Sequence, residues 1–354
     1  MNVILILAVV LLLALQKFWA PYALDSLRFK GSCDHILAEP GETVTWTATV
    51  ENHSRLPVPF IRLVENFPAQ TEVIAEPKWQ ERHCKMGIQS WSVEERLSLL
   101  PLQSVEKSVR FTCARRGAYR VGSYRLAAGD LLGFREEQVQ GEGLNVVVMP
   151  RKSEDQAALA ALGGFLGDIS VRRFILEDPV LTVGFRDYTG REPLKAVSWT
   201  RTATAGKLQV KQFDYTAEQN VMVLLNVSGA SPEALEECFR LTRMACEQLE
   251  RKKIPFSFRT NGNLPGPTGK VFFQPEGLGA SYLNAILYGL GQADGTCYIS
   301  FPTLVRQTLR RRKNHESYIL ITPALTGADA DAVHTLEQAA SNPVCVLTGK
   351  EERP

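Results

Sequence analysis

VGFRDYTGREPLKAVSWTRTATAGKLQVKQFDYTAEQNVMVLLNVSGA, residues 183–230, is the stretch from which the architecture is read. It opens on a polar, turn-rich piece carrying Arg186, Asp187, Tyr188, Gly190, Arg191 and Glu192, followed by Trp199 and a basic patch. Leu208 to Phe213 alternates apolar and polar residues, the period of a half-exposed strand. Val221 to Leu225 is uninterruptedly apolar, as a strand buried on both faces must be. It runs out into Asn226-Val-Ser-Gly-Ala230. Such a density of Arg, Asp, Tyr and Trp between two strands exceeds what a plain connector needs, because loops held by rigid elements carry function.

Downstream, strands and helices alternate. Ser231, Pro232 and Glu233 form a helix start, supplying a cap, a pre-set φ and a charge for the helix dipole. Leu235, Phe239, Thr242, Ala245, Cys246 and Leu249 then recur at helical spacing. Strands are predicted at 254–259, 317–322 and 344–347, and helices at 279–290, 301–313 and 329–340. This alternation implies an open parallel sheet.

Upstream the period changes to two. Thr43 to Val50 alternates and is rich in β-branched residues. Further short strands follow to Leu144–Met149, at the spacing of an Ig-like β-sandwich and without a helical period. Trp46, Trp79 and Trp91 read as core aromatics rather than a carbohydrate platform. His83-Cys84 lacks the spacing of a zinc site. Arg151 to Phe165 reads as a connector with one or two helical turns, ended by Gly163-Gly164.

At the N-terminus, Val3 to Leu15 is an apolar run of 13 residues, followed by Lys17, Phe18, Trp19 and Tyr22. A span needs about 20 residues, so the reading is a short anchor extending to Tyr22. With Lys17, Arg28 and Lys30 after the run, the positive-inside rule predicts a single-pass cell-membrane protein with its bulk in the cytoplasm. The expected order is a transmembrane anchor at 1–24, an all-β sandwich at 32–150, a connector at 151–181 and an α/β domain at 182–354.

Composition narrows the function classes. The 354 residues carry a net charge of +2, which argues against nucleic acid as a partner. Apolar content of 45% with 22% charged residues describes a folded protein. Seven scattered cysteines without a C-x-x-C pair suggest neither a disulfide framework nor a zinc ribbon.

Arg186-Asp-Tyr188, Thr189-Gly-Arg-Glu192-Pro193, Trp199, Thr202-Ala203 and Gly206-Lys-Leu-Gln-Val-Lys211 together resemble the signature of the bacterial domain-of-unknown-function 58 family. Glu192 stands where that family more often has Asp, and Thr204 where it more often has Arg. The strand ending at Ala230 resembles the first strand of a von Willebrand factor A domain. There Asp-x-Ser-x-Ser binds a divalent cation; here the positions read Asn226, Ser228 and Ala230, a degenerate metal site. The resemblance implies a scaffold or adaptor working with a MoxR-type AAA+ ATPase on envelope complexes.

Three readings compete for residues 186–211. Catalysis by Asp187, Glu192 and Tyr188 is disfavoured, because Arg186, Arg191, Lys195 and Arg201 hold carboxylates ionised. A phosphate loop at Thr204–Lys207 lacks the required spacing and following helix. A docking or structural staple fits better: Arg186 and Arg191 pair with Asp187, Glu192 or Asp214, Trp199 packs beneath, and the rim meets a partner. No enzymatic activity, cofactor or metal is expected. The rival is a metal-dependent receptor or hydrolase using Asp187, Glu192, Ser228 and Thr296. The Arg310–Lys313 run reads as a solvated helix face, with anionic lipid as its alternative.

Overall fold

The computed structural model describes residues 22–129, 136–173, 182–190, 192–213, 220–263, 273–311, 316–325, 327–340 and 342–349. They divide into two compact units: residues up to Arg151 together with Leu287–Gln292, and the remainder.

The first unit is a set of β-sandwich-like sheets. Its strands are β1 (Leu27–Cys33), β2 (Leu37–Ala38), β3 (Thr43–Asn52), β4 (Val58–Pro68), β5 (Thr71–Val73), β6 (Cys84–Met86), β7 (Ser90–Leu99), β8 (Ser104–Cys113), β9 (Gly117–Val121), β10 (Ser123–Gly129), β11 (Glu136–Gly141) and β12 (Leu144–Val148). They form sheets ordered β1-β3-β8-β5, β11-β10-β4-β7-β6 and β2-β12-β9. The alternation in β3 turns Val44, Trp46, Ala48 and Val50 inward, where they meet Leu63, Phe67, Trp91 and Phe111 in one core. Trp46 and Trp91 are buried, and each indole N–H finds an acceptor: Glu65 Oε1 for Trp46, and the Thr71 carbonyl and hydroxyl, both at 2.9 Å, for Trp91. Burial without such partners would cost each indole a hydrogen bond. Between β5 and β6 lies a short helix, α1 (Pro77–His83). It starts at a proline, and Trp79 stacks on His83 one turn later, 5.1 Å between ring centroids.

The second unit begins with α2 (Gln156–Arg173). This corrects the short connector: the helix runs straight through Gly163 and Gly164. A helical glycine costs only about 1 kcal/mol, and burial of Leu162, Phe165, Leu166 and Ile169 outweighs it. Strands β13 (Thr182–Asp187) and β14 (Gln209–Phe213) pair as a separate antiparallel hairpin around α3 (Trp199–Ala205). Then come β15 (Val221–Leu225), α4 (Pro232–Arg251), β16 (Phe256–Thr260), β17 (Phe273–Gly277), α5 (Ala280–Gln292, of which Leu287–Gln292 count with the first unit), α6 (Phe301–Arg310), β18 (Ser317–Thr322), α7 (Ala328–Ala339) and β19 (Val344–Thr348). The sheet order is β17-β16-β15-β18-β19, parallel from β16 to β19 and antiparallel at the β17 edge. Every residue of β15, β16 and β18 is buried. Met222, Leu224, Tyr318 and Leu320 meet Phe301, Leu304, Val305, Val333 and Leu336 in one core.

The expected fold class and localisation need correction. Among the described residues the strands fall into five sheets, three of them in the first unit, rather than one Ig-like sandwich followed by one open parallel sheet. Among the described residues no helix is long and apolar enough to cross a membrane. The longest, α4, carries charges along much of its length. The run Val3–Leu15 lies outside the described residues. The transmembrane anchor and the single-pass cell-membrane placement are therefore not supported.

Candidate functional site

Residues 182–213 build a hairpin closed by a short helix. Antiparallel pairing sets Phe185 opposite Lys211, Arg186 opposite Val210 and Asp187 opposite Gln209. Val197 bridges to Val210, and both are buried. The Ser198 amide donates to the Gln209 carbonyl at 2.8 Å and the Tyr188 amide to the Leu208 carbonyl at 2.9 Å, so the connecting chain is stitched down. Gly206 ends α3 at φ +67°, where its amide reaches the Thr202 carbonyl at 3.0 Å. That left-handed position favours glycine over any residue with a Cβ. Gly190 turns the preceding loop at φ +86°.

Both carboxylates of this module are engaged internally. Arg186 Nη1 lies 2.6 Å from Glu192 Oε1. The Thr189 hydroxyl donates to Glu192 Oε1 at 2.9 Å and the Thr189 amide to Oε2 at 3.1 Å. Partial desolvation pushes the Glu192 carboxyl up, but the Thr189 hydroxyl and amide and then Arg186 outweigh it and hold the group at about 2. Asp187 accepts from the Gln209 side-chain amide. A general acid or base needs a pKa near the working pH and an open approach; Glu192 has neither. Arg191 and Asp214 lie outside the described residues, so their expected pairings do not enter.

Trp199 does not pack beneath the loop. It opens α3 and is 64% exposed, while Val197 and Ser198, just before it, take the inward positions. Arg201, one turn-face away, lies over the Phe185 ring at 5.0 Å. Lys195, Lys207 and Lys211 are exposed.

The degenerate metal site sits at the carboxyl ends of β15, β16 and β18, where open α/β sheets present their crevices. Asn226 is fully buried. Its Nδ2 donates to Thr322 Oγ1 at 3.1 Å and to Asp329 Oδ2 at 3.4 Å. Its Oδ1 accepts from the Ser228 amide at 2.9 Å and from Asn261 Nδ2 at 2.8 Å. Asn261 Nδ2 also reaches Ser228 Oγ at 2.7 Å, and its Oδ1 accepts from the Val227 amide. The Asn226 amide hydrogens thus point at the oxygens a cation would draw on, so the residues present fit an internal hydrogen-bond network better than a hard cation, which needs charged oxygen ligands. Among the described residues no three His, Cys, Asp or Glu side chains come together as a metal site. Asn261 is the key member that pattern reading missed; its only sequence signal is its position just after a buried strand.

Replacing this amide by a carboxylate is informative. Asn226→Asp sets a negative oxygen about where Nδ2 now donates, 3.4 Å from Asp329 Oδ2. A buried charge left without a cation costs about 3 kcal/mol, so the variant melts several degrees lower. Millimolar Mg²⁺ is expected to restore part of its Tm in scanning calorimetry and to leave the wild type unmoved. An equal Mg²⁺ response from both proteins contradicts the network reading.

The rival set is not brought together. Thr296 lies beside the sheet edge, its amide on Asp294 Oδ1 at 2.9 Å and its carbonyl accepting from the Asn263 amide at 2.7 Å. Among the described residues no hydrogen bond or ion pair links Asp187 or Glu192 to Ser228 or Thr296.

No protein-family model matches this chain, and no curated protein matches it. Solved structures with partial likeness include the cupredoxin domain of amoB from Nitrosocaldus yellowstonii, at 9% identity, covering 36% of this chain and 90% of that one, TM-score 0.23. A non-cellulosomal cohesin from Archaeoglobus fulgidus is similar at 15% identity over 38% and 97% of the two chains, TM-score 0.24. The CARDB domain of the PF1109 protein from Pyrococcus furiosus, solved with di-metal ions, is similar at 14% identity over 35% and 85%, TM-score 0.22. Scores this low carry no argument about function.

Proposed function

We propose that this chain is a protein-docking scaffold that performs no chemistry of its own. The observation that carries the reading is the division of labour within residues 182–213. Both carboxylates there are consumed by internal hydrogen bonds, while Trp199 stands 64% exposed on a stitched-down hairpin. Rigid aromatic and arginine side chains anchor interfaces at low entropic cost. An exposed indole on a fixed backbone offers a partner a large apolar surface at little entropic cost.

The resemblance of the Arg186–Lys211 signature to the domain-of-unknown-function 58 family names the partner class to test first, a MoxR-type AAA+ ATPase. Co-purification of tagged full-length chain with such an ATPase from the same cells is expected for the wild type. Trp199→Ala is expected to weaken it by about tenfold or more, since a hot-spot aromatic contributes 2 kcal/mol or above, with unchanged melting. Arg186→Ala should weaken it less, through loosening of the Glu192 loop. Undiminished recovery with Trp199→Ala would assign the module to internal structure alone.

A further inference from the structure

We infer that the surface received by the 182–213 module is an acidic segment of a protein partner; this rests on the docking reading above and names the chemistry of its occupant. The described residues of the module carry five cations, Arg186, Lys195, Arg201, Lys207 and Lys211, against two carboxylates, Asp187 and Glu192. One cation, Arg186, is spent on Glu192. Asp187 is capped by the neutral Gln209 side chain. Among the described residues Lys195, Arg201, Lys207 and Lys211 make no ion pair with any carboxylate, and all four are exposed. Five cations against two carboxylates leave the module's described residues with an excess of three positive charges. Cations on a fixed backbone, beside an exposed indole, favour a partner that supplies Asp or Glu together with an apolar residue for Trp199.

A single-stranded nucleic acid also seeks cations beside aromatic rings, yet it needs several free ring faces on which successive bases stack. Here the Phe185 ring has one face under the Arg201 guanidinium and Tyr188 is half-buried, so that Trp199, at 64% exposure, is the most open of the module's described rings. Arg201 over Phe185 has a second consequence. The ring holds that guanidinium in place without neutralising it, so its charge is presented at a defined position.

The test uses the full-length chain in its own cells, with a photo-reactive benzophenone amino acid placed at exposed Thr200, beside Trp199. Cross-linked peptides are then sequenced by mass spectrometry. The expected result is a partner segment rich in Asp and Glu. Its yield should fall about tenfold or more when Lys195→Glu, Lys207→Glu and Lys211→Glu are combined, and it should fall as salt rises from about 0.05 to about 0.5 M. Circular dichroism and Tm of the charge-reversed chain should match the wild type, since all three side chains are exposed. A cross-linked segment without excess acid, or a yield indifferent to charge reversal, overturns the acidic-partner inference and leaves docking standing. Absence of any cross-linked protein removes both. Tryptophan quenching by a 20-nucleotide single strand, lost in Trp199→Ala, overturns it in favour of nucleic acid.

Discussion

Gly122→Ala is expected to destabilise the first unit by about 3 kcal/mol or more, enough to unfold a marginal domain. Gly122 sits at φ +70°, and a Cβ built there would lie 2.1 Å from Cζ2 of Trp46. The left-handed backbone costs an alanine about 1 kcal/mol, and overpacking a rigid ring adds about 1–3 kcal/mol. Gly31 lies as close to the same ring, for a Cβ there would sit 2.3 Å from its Cη2. Trp46 therefore packs closely on two glycines, one on β1 and one between β9 and β10, and its indole N–H is tied to Glu65 on β4. The check is a double-mutant cycle by urea denaturation. Trp46→Leu alone loses packing and the hydrogen bond, but Gly122→Ala should cost markedly less on that background, a coupling of more than about 1 kcal/mol. Additive losses would mean that the glycine is needed for its backbone alone.

Glu65→Gln is expected to act in the opposite direction, and only on one side of neutrality. Glu65 is buried in the core. Burial pushes its carboxyl up, the Trp46 hydrogen bond partly offsets this, and the nearby Glu95 adds to it, so that it titrates at about 7. Around this pair lie His83, 3.5 Å from Glu95 Oε1, and Lys107, 3.9 Å from Oε2. The folded state holds the Glu65 proton more tightly than the unfolded chain, whose glutamate titrates at its ordinary 4.5. Between pH 4.5 and 7 the native protein thus binds more protons than the unfolded one, and stability falls as pH rises. Above about 7 the loss is complete, on the order of 3 kcal/mol for a shift of this size. A glutamine keeps an oxygen for the Trp46 indole and removes the charge. Urea denaturation followed by tryptophan fluorescence should show the variant more stable than wild type by about 2–3 kcal/mol at pH 8 and nearly equal to it at pH 4.5. Parallel profiles across this range would show that Glu65 is ionised and solvated in the native protein.

Much of the secondary structure was legible from periodicity. The strand at Ser317–Thr322 and the capped helix starting at Pro232 follow directly from an apolar run and from Ser-Pro-Glu. Legibility failed where tertiary packing overrode local preference. Gly163-Gly164 reads as a break, yet α2 continues through it because four apolar residues on the helix are buried. The 77–83 segment, lying among strands, is a helix that no long period announces. Strand β17, with its mostly exposed pattern and a proline, gives almost no signal and owes its place to pairing along β16. In residues 182–213 the cluster of polar residue types was visible, but not their assignments. Trp199 looks like a core residue by type and is exposed by geometry. Glu192 looks like one of two candidate acids, and its two partners, Arg186 and Thr189, remove it from that role.

From the chain alone follow the elements that a two-fold or 3.6-fold period writes locally, and the concentration of charge and aromatic side chains between residues 183 and 213. Solvent acts on each residue type in the same way wherever it falls, so patterns within a few turns of chain are readable in one dimension. The close packing of Trp46 on Gly31 and Gly122, the reach of the Asn226 amide to Thr322 and Asp329, and the division of the described strands over five sheets were decided only by the tertiary structure. Each depends on distances between residues far apart in the chain, and such distances are set by packing rather than by local preference.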